Sequence, residues 1–286
     1  MKKQGGEAPA MRFITLNGTR IPALGLGTYP MSGQTAQRAI TTAIGIGYRH
    51  IDTAQMYGNE ADVGAAIKES GIDRGQIFVT TKLDNGNHAA AEVKYSTEQS
   101  LRKLATDYVD LLLIHWPVRD VPLAETLDAM AKLKAAGKVR HIGVSNFNTT
   151  LMDDAVALQG DAIVCNQVEY HVFLSQKAVV AAARKHKMMV TAYCPVAHGD
   201  VAKDATVIAI AKRLNKTPTQ VALRWLVEQD PVAAIPKASS RAHLEENFSI
   251  FDFELSPADR AAIDKLGSPR GRIINWPGVA PVWDRD

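Results

Sequence analysis

The chain has 286 residues, 46% of them hydrophobic, and sets 33 Lys plus Arg against 30 Asp plus Glu for a formal charge of +3. That length can bury a large core, either as one big α/β barrel or as two ordinary domains. No long basic run occurs and no stretch approaches the ~18 apolar residues of a membrane span, so neither nucleic acid nor a membrane is an expected partner.

The amino terminus, "MKKQGGEAPAM", has two lysines with no apolar stretch behind them. Residues 1–11 therefore read as a flexible leader without a secretory signal, and the expected location is cytoplasmic. Cys165 and Cys194 lie in apolar runs, outside any CxxC or Cys/His spacing. They read as buried thiols in a reducing compartment, and no metal is expected.

In "RFITLNGTRIPAL", Asn17-Gly18 stands between two alternating apolar segments, the pattern of a tight hairpin whose turn residues both need positive φ. Eight short apolar runs follow, starting near Leu24, His50, Phe78, Leu111, His141, Val164, Met189 and Ala233, each trailed by a segment of helical period. Their intervals suit right-handed βαβ crossovers. The last interval holds two helices, "ATVIAIAKRLN" and "TPTQVALRWLVEQ", the second opened by Thr217, Pro218 and Gln220 as a capping box. A further helix starts at Ser256, Pro257 and Asp259, with Gly267 as its expected C-cap. Beyond it, "SPRGRIINWPGVAPVWDRD" is too broken for a helix and too apolar for a linker.

These elements predict one α/β domain over residues 12–286, a (β/α)8 TIM barrel with an amino-terminal β-hairpin, two extra helices and a carboxyl-terminal loop over the barrel mouth. A doubly wound fold would want a third glycine where "LGLGTYP" has Pro30. Chemistry in a (β/α)8 barrel sits at the carboxyl ends of the strands. Asp52 in "RHIDTAQMY", Lys82 in "FVTTKL" and His115 in "LLLIHWP" each close an apolar run, and Tyr57 follows Asp52 by one short loop.

An acid, an amine, an imidazole and a phenol meeting there suit proton delivery to a carbonyl oxygen. A free phenol is a weak acid at neutral pH, and a neighbouring ammonium is expected to lower its pKa. Lys82 is placed as that ammonium, Asp52 as the carboxylate that keeps it charged, and His115 as a donor that orients the substrate oxygen. Singly, each has an ordinary reading as a cap, a loop aromatic, a solvated lysine or a core histidine.

"GYRHIDTAQMYGNEADVG", "LIHWP", "VRHIGVSNF", "NQVEYH", "TAYCP" and "IPKASSRAHLEEN" together resemble, in order, the signature blocks of the aldo-keto reductases, over about residues 12 to 284. The ending "GRIINWPGVAPVWD" is similar to that of bacterial members acting on 2,5-diketo-D-gluconate or methylglyoxal. The resemblance implies catalytic roles for Asp52, Tyr57, Lys82 and His115, with Tyr57 as the acid. It also implies NADP(H) held without a Rossmann fold, with Ser145, Asn146 and Gln167 on the carboxamide and Tyr193 stacked on the nicotinamide.

Lys237, Ser239 and Ser240 precede a helix, whose free N–H groups and dipole suit a phosphate, here the 2′-phosphate of NADP. Glu246 and Asn247 match the family's adenine contacts. Two departures stand in this block: His243 replaces the usual arginine and Ala238 the usual serine. A mostly neutral imidazole cannot bind phosphate bidentately, so NADPH is expected to be preferred by a smaller margin than in arginine-bearing relatives.

The family's substrate pocket nominates Tyr29, Trp116, Trp276 and Trp283, and Asp84 where relatives carry an aromatic residue. Aromatic walls with a rim carboxylate favour neutral aldehydes and α-dicarbonyls such as methylglyoxal. Keto-sugar acids would draw on Arg119, His198, Arg270 or Arg272. The short segment Val196 to Asp204 implies easy cofactor exchange, and a monomer is expected. Two other readings stay open: a Schiff-base aldolase or isomerase on Lys82, and a non-catalytic NADP-binding regulatory subunit.

Overall fold

Asn17 and Gly18 take the left-handed backbone the hairpin needs, with φ of 46° and 78°. They join strands β1 (Phe13–Leu16) and β2 (Thr19–Pro22) in antiparallel register, Phe13 facing Pro22 and Leu16 facing Thr19. The computed structural model describes residues 11–285. Apart from Met11, the leader assigned to residues 1–11 lies outside the described residues.

The alternation then runs β3 (Leu26–Gly27), α1 (Gly33–Ile46), β4 (His50–Asp52), α2 (Glu60–Glu69), β5 (Phe78–Leu83), α3 (Ala90–Lys103), β6 (Val109–Ile114) and α4 (Leu123–Ala135). It continues through β7 (Val139–Ser145), α5 (Thr149–Gln159), β8 (Ile163–Glu169), α6 (Lys177–Lys185), β9 (Met189–Tyr193), α7 (Ala205–Leu214), α8 (Pro218–Glu228), β10 (Val232–Ala234), α9 (Arg241–Phe248) and α10 (Pro257–Asp264). Strands β3 to β10 pair in chain order and in parallel.

The sheet closes on itself through Gly25 N to Ala234 O at 2.9 Å, Ala234 N to Ala23 O at 2.8 Å and Gly27 N to Pro236 O at 3.2 Å. The first barrel strand is shorter than the run from Leu24 suggests, because Leu24 meets β10 only as an isolated bridge. Helices cover the sheet, so strands such as "FVTTKL" and "VDLLLI" are buried along their whole length. That is why neither shows the apolar–polar alternation of a half-exposed strand.

The extra helices are α7 and α10. Thr217 and Ser256 both form the expected capping boxes, with Gln220 and Asp259. The expected C-cap at Gly267 is not used: α10 ends at Asp264, and its cap is Lys265 in right-handed geometry at φ −74°, which needs no glycine. Segment 197–203 is a short 3-10 turn, kinked by left-handed His198 and Gly199. Among the described residues, no helix is long and apolar enough to cross a membrane, and no cluster of His, Cys, Asp or Glu could hold a metal ion.

Candidate active site

Parallel pairing aligns the strand ends, so the polar residue that terminates each run faces the same mouth. Asp52 is the last residue of β4, Lys82 the penultimate residue of β5, and His115 directly follows β6. Lys82 is completely buried, and its ammonium donates to Asp52 Oδ1 at 2.5 Å, Thr53 O at 2.8 Å and the Tyr57 hydroxyl at 3.3 Å. The other Asp52 oxygen accepts Gln167 Nε2 at 2.7 Å. One carboxylate thus ties the lysine to strand β8 across the barrel.

Burial, the largest influence on Lys82, works against its charge, but Asp52 and Tyr57 outweigh it and the pKa is raised. Lys82 stays an ammonium. For Tyr57 burial is again the largest influence; it raises the pKa, while the charge of Lys82 and its hydrogen bond lower it. The net direction is upward, which corrects the expectation that the lysine leaves the phenol more acidic than usual. The hydroxyl is therefore protonated at neutral pH, with Lys82 offsetting part of the cost that burial puts on the phenolate.

Tyr57 is held by the 3-10 turn Gln55–Tyr57, where Gln55 Oε1 accepts Asp84 N and Asn87 Nδ2, both at 2.9 Å. Behind it, Thr53 donates to Asn59 Oδ1 at 2.6 Å, and Asn59 in turn donates to Met31 O at 2.8 Å. The Tyr57 ring lies 5.6 Å from His115, edge-on, and 5.0 Å from Tyr29. Burial, then Lys82 and His88, push the His115 pKa well below the ordinary imidazole value. A neutral ring keeps one N–H to donate.

A second polar group lies beside the first. Ser145 closes β7 and donates to Gln167 O at 2.8 Å. Asn146 adopts left-handed φ 62° and donates to His115 O at 2.9 Å, while its carbonyl accepts the Tyr193 hydroxyl at 2.8 Å. Tyr193 closes β9; Gln167 lies two residues before the end of β8, rather than at it. The structure brings Ser145, Asn146, Gln167 and Tyr193 into one network with Asp52 and Lys82.

Lys237, Ser239 and Ser240 sit apart from these, exposed in the turn before α9, with Ser240 as its N-cap. His243 is exposed in the first turn of α9. Glu246 accepts the Thr217 hydroxyl at 2.7 Å and Asn247 is buried. Arg241, overlooked in the sequence reading, is a second cation here, exposed and paired with Glu245 at 2.8 Å.

At the rim, Trp116 is buried and stacks on Trp276 with ring centroids 5.6 Å apart; Trp283 meets it edge-on at 6.3 Å. Tyr29 is 58% exposed and Trp276 40%, so both present aromatic surface to solvent. Asp84 is half-buried beside the Gln55 turn. Arg119, His198 and Arg270 are exposed, whereas Arg272 is folded against the Trp283 ring at 3.5 Å.

Residues 23–268 match the model of the aldo/keto reductase family. The chain is 40% identical to the methylglyoxal reductase DkgB of Escherichia coli O157:H7, over 92% of this chain and 99% of that protein. A solved structure assigned provisionally as a 2,5-diketo-D-gluconic acid reductase B superposes with a TM-score of 0.95 at 49% identity, covering 97% of this chain and 99% of that one. The aldo-keto reductase of Bombyx mori, solved in complex with NADP, superposes with a TM-score of 0.86 at 33% identity, over 93% of this chain and 95% of that one.

Proposed function

The chain belongs to the aldo/keto reductase family, and from that premise we propose that it is an NADPH-dependent reductase of small aldehydes and ketones, with Tyr57 as the general acid. The substrates we favour are neutral aldehydes and α-dicarbonyls such as methylglyoxal, with keto sugars next. Residues 12–286 are taken as one catalytic domain acting as a monomer.

The chain's residues fit the cofactor. Lys237, Ser239 and Ser240 hold their donors exposed at the amino end of α9, as an anionic phosphate requires. The Ser145, Asn146 and Gln167 amides and hydroxyl suit a carboxamide, and Tyr193 offers a ring for the nicotinamide. When bound, NADPH supplies the hydride to the carbonyl carbon.

Tyr57 gives its proton to the carbonyl oxygen as negative charge develops there. Lys82 stabilises the phenolate left behind, and Asp52 holds Lys82 cationic and immobile. His115, neutral, donates an N–H that orients the oxygen. Around this centre Tyr29, Trp116 and Trp276 supply apolar wall. Asp84 disfavours anionic substrates by about 1 kcal/mol at a partly exposed site.

The observation that carries this reading is the contact of the Tyr57 hydroxyl with a fully buried ammonium that is itself paired to Asp52. The same contact argues against a Schiff-base lysine, which must lose its proton to attack a carbonyl; Lys82 has a raised pKa and three acceptors around it. Tyr57→Phe tests the reading through NADPH absorbance with a panel of aldehydes and ketones. The variant is expected to bind NADPH normally and to lose reduction by about 10³-fold or more. Retained turnover would assign the proton to another group.

A further inference from the structure

The carboxyl-terminal tail crosses the mouth as a strap, and its near end is fixed by a group with no role in the chemistry above. Glu169 is the last residue of β8, paired in register with Tyr193, and fully buried. A buried carboxylate must be hydrogen-bonded or paired. Glu169 takes its partners from the tail: Oε1 accepts Ile273 N at 2.7 Å and Oε2 accepts Ile274 N at 2.8 Å. His171 Nε2 lies 2.9 Å from Oε1, and the Arg272 guanidinium 3.8 Å from Oε2.

The loop after β8 locks the same stretch by shape. Phe173 O accepts Ser268 N at 3.1 Å, and a Cβ on Gly271 would fall 1.8 Å from that oxygen, so only glycine lets the tail lie this close. The far end is fastened to the start of α5, where Asp284 accepts Thr149 N at 3.0 Å and the Thr149 hydroxyl at 2.7 Å. Between the two anchors lie Trp276 and Trp283, which meet Trp116 and are joined through Trp283 Nε1 to Asn275 at 2.9 Å.

We propose that Glu169 is a positioning residue for substrate: its buried carboxylate seats the tail, and the seated tail holds Trp276 and Trp283 over the mouth. The inference rests on the carbonyl-reductase reading for what the two tryptophans touch, but the seating itself does not. Glu169 acts through the tail and exchanges no proton with substrate. Its loss removes binding that is equal in the ground state and the transition state, a KM effect more than a kcat effect.

Two variants of the full-length protein test this from opposite sides. Glu169→Gln puts an amide donor against tail N–H groups that need an acceptor; Gly271→Ala leaves the barrel intact and forces the tail off Phe173. In each, amide hydrogen exchange at Ile273 and Ile274 is expected to quicken by about tenfold or more. With NADPH saturating, KM for a bulky aromatic aldehyde is expected to rise about tenfold, while kcat for a small aldehyde changes by less than about threefold. Exchange unchanged in both variants would overturn the proposal, as would kcat falling as far as kcat/KM. Should Glu169→Gln fail to fold, Glu169→Asp, which keeps the charge but draws the carboxylate back from the tail amides, is read by the same exchange and KM measurements. A wild-type protein that reduces no aldehyde would sink the functional reading, and the exchange measurement would still judge the seating.

Discussion

Lys82 and Lys237 carry the same charge in opposite settings. Lys82 is sealed at the ends of the barrel strands with Asp52, Thr53 and Tyr57 around it. Lys237 stands in solvent in the turn before α9, with no ion-pair partner among the described residues. The first is pre-organised: its surroundings already hold the charge where a reaction will need it, at the expense of desolvation. Under the proposed function the second would take its partner from the cofactor phosphate, and water screens its charge in solvent. Substitution should therefore damage catalysis and stability together at the first, and cofactor binding alone at the second.

Lys82→Met should produce the largest effect after loss of the phenol itself. Without the cation the phenolate is unsupported, and kcat should fall by about 10²–10⁴-fold. Asp52 would keep only Gln167 and be left as an unpaired buried charge, lowering stability by about 3–5 kcal/mol in a denaturant titration. Unchanged stability would mean that the pair is less buried than it stands here. Lys237→Met should instead raise KM for NADPH by about tenfold, near 1.4 kcal/mol, with Tm and kcat within error. A falling kcat would break the contrast between the two lysines.

A smaller effect is expected at His243. His243→Arg adds a fixed, bidentate cation beside the turn of residues 237–240, the proposed phosphate site, and should widen the NADPH-over-NADH preference in kcat/KM by about five- to tenfold. An unchanged ratio would show that Arg241, two residues earlier on α9, already supplies the cation that position 243 lacks.

Much of the floor of this site was legible because β5 and β6 are buried on both faces, which makes a polar residue at their carboxyl ends conspicuous: Lys82 comes next to last in "FVTTKL", and His115 directly follows the apolar end of "VDLLLI". The capping boxes at Thr217 and Ser256 were legible for a similar reason, since both partners lie within one turn. Glu169 was not. It sits inside "NQVEYH", but its partners, Ile273 and Ile274, are about a hundred residues away, and nothing local announces them. The direction of the Tyr57 pKa was misjudged because it turns on burial, which depends on how the whole mouth packs, whereas the pairing with Lys82 could be inferred from strand ends alone. Gly267 misled because a glycine after a helix suggests a left-handed cap, while α10 stops earlier in right-handed geometry.

The central claim is that the proton comes from Tyr57, and the pH dependence of the chemical step tests it most directly. Tyr57 has a raised pKa and His115 a strongly lowered one, so the phenol remains protonated and the imidazole neutral from about pH 6 to about pH 9. The single-turnover rate of aldehyde reduction, with NADPH and substrate saturating, should be flat over that range. A rate that falls about tenfold per unit above an imidazole-like midpoint would make His115 the donor and contradict the account.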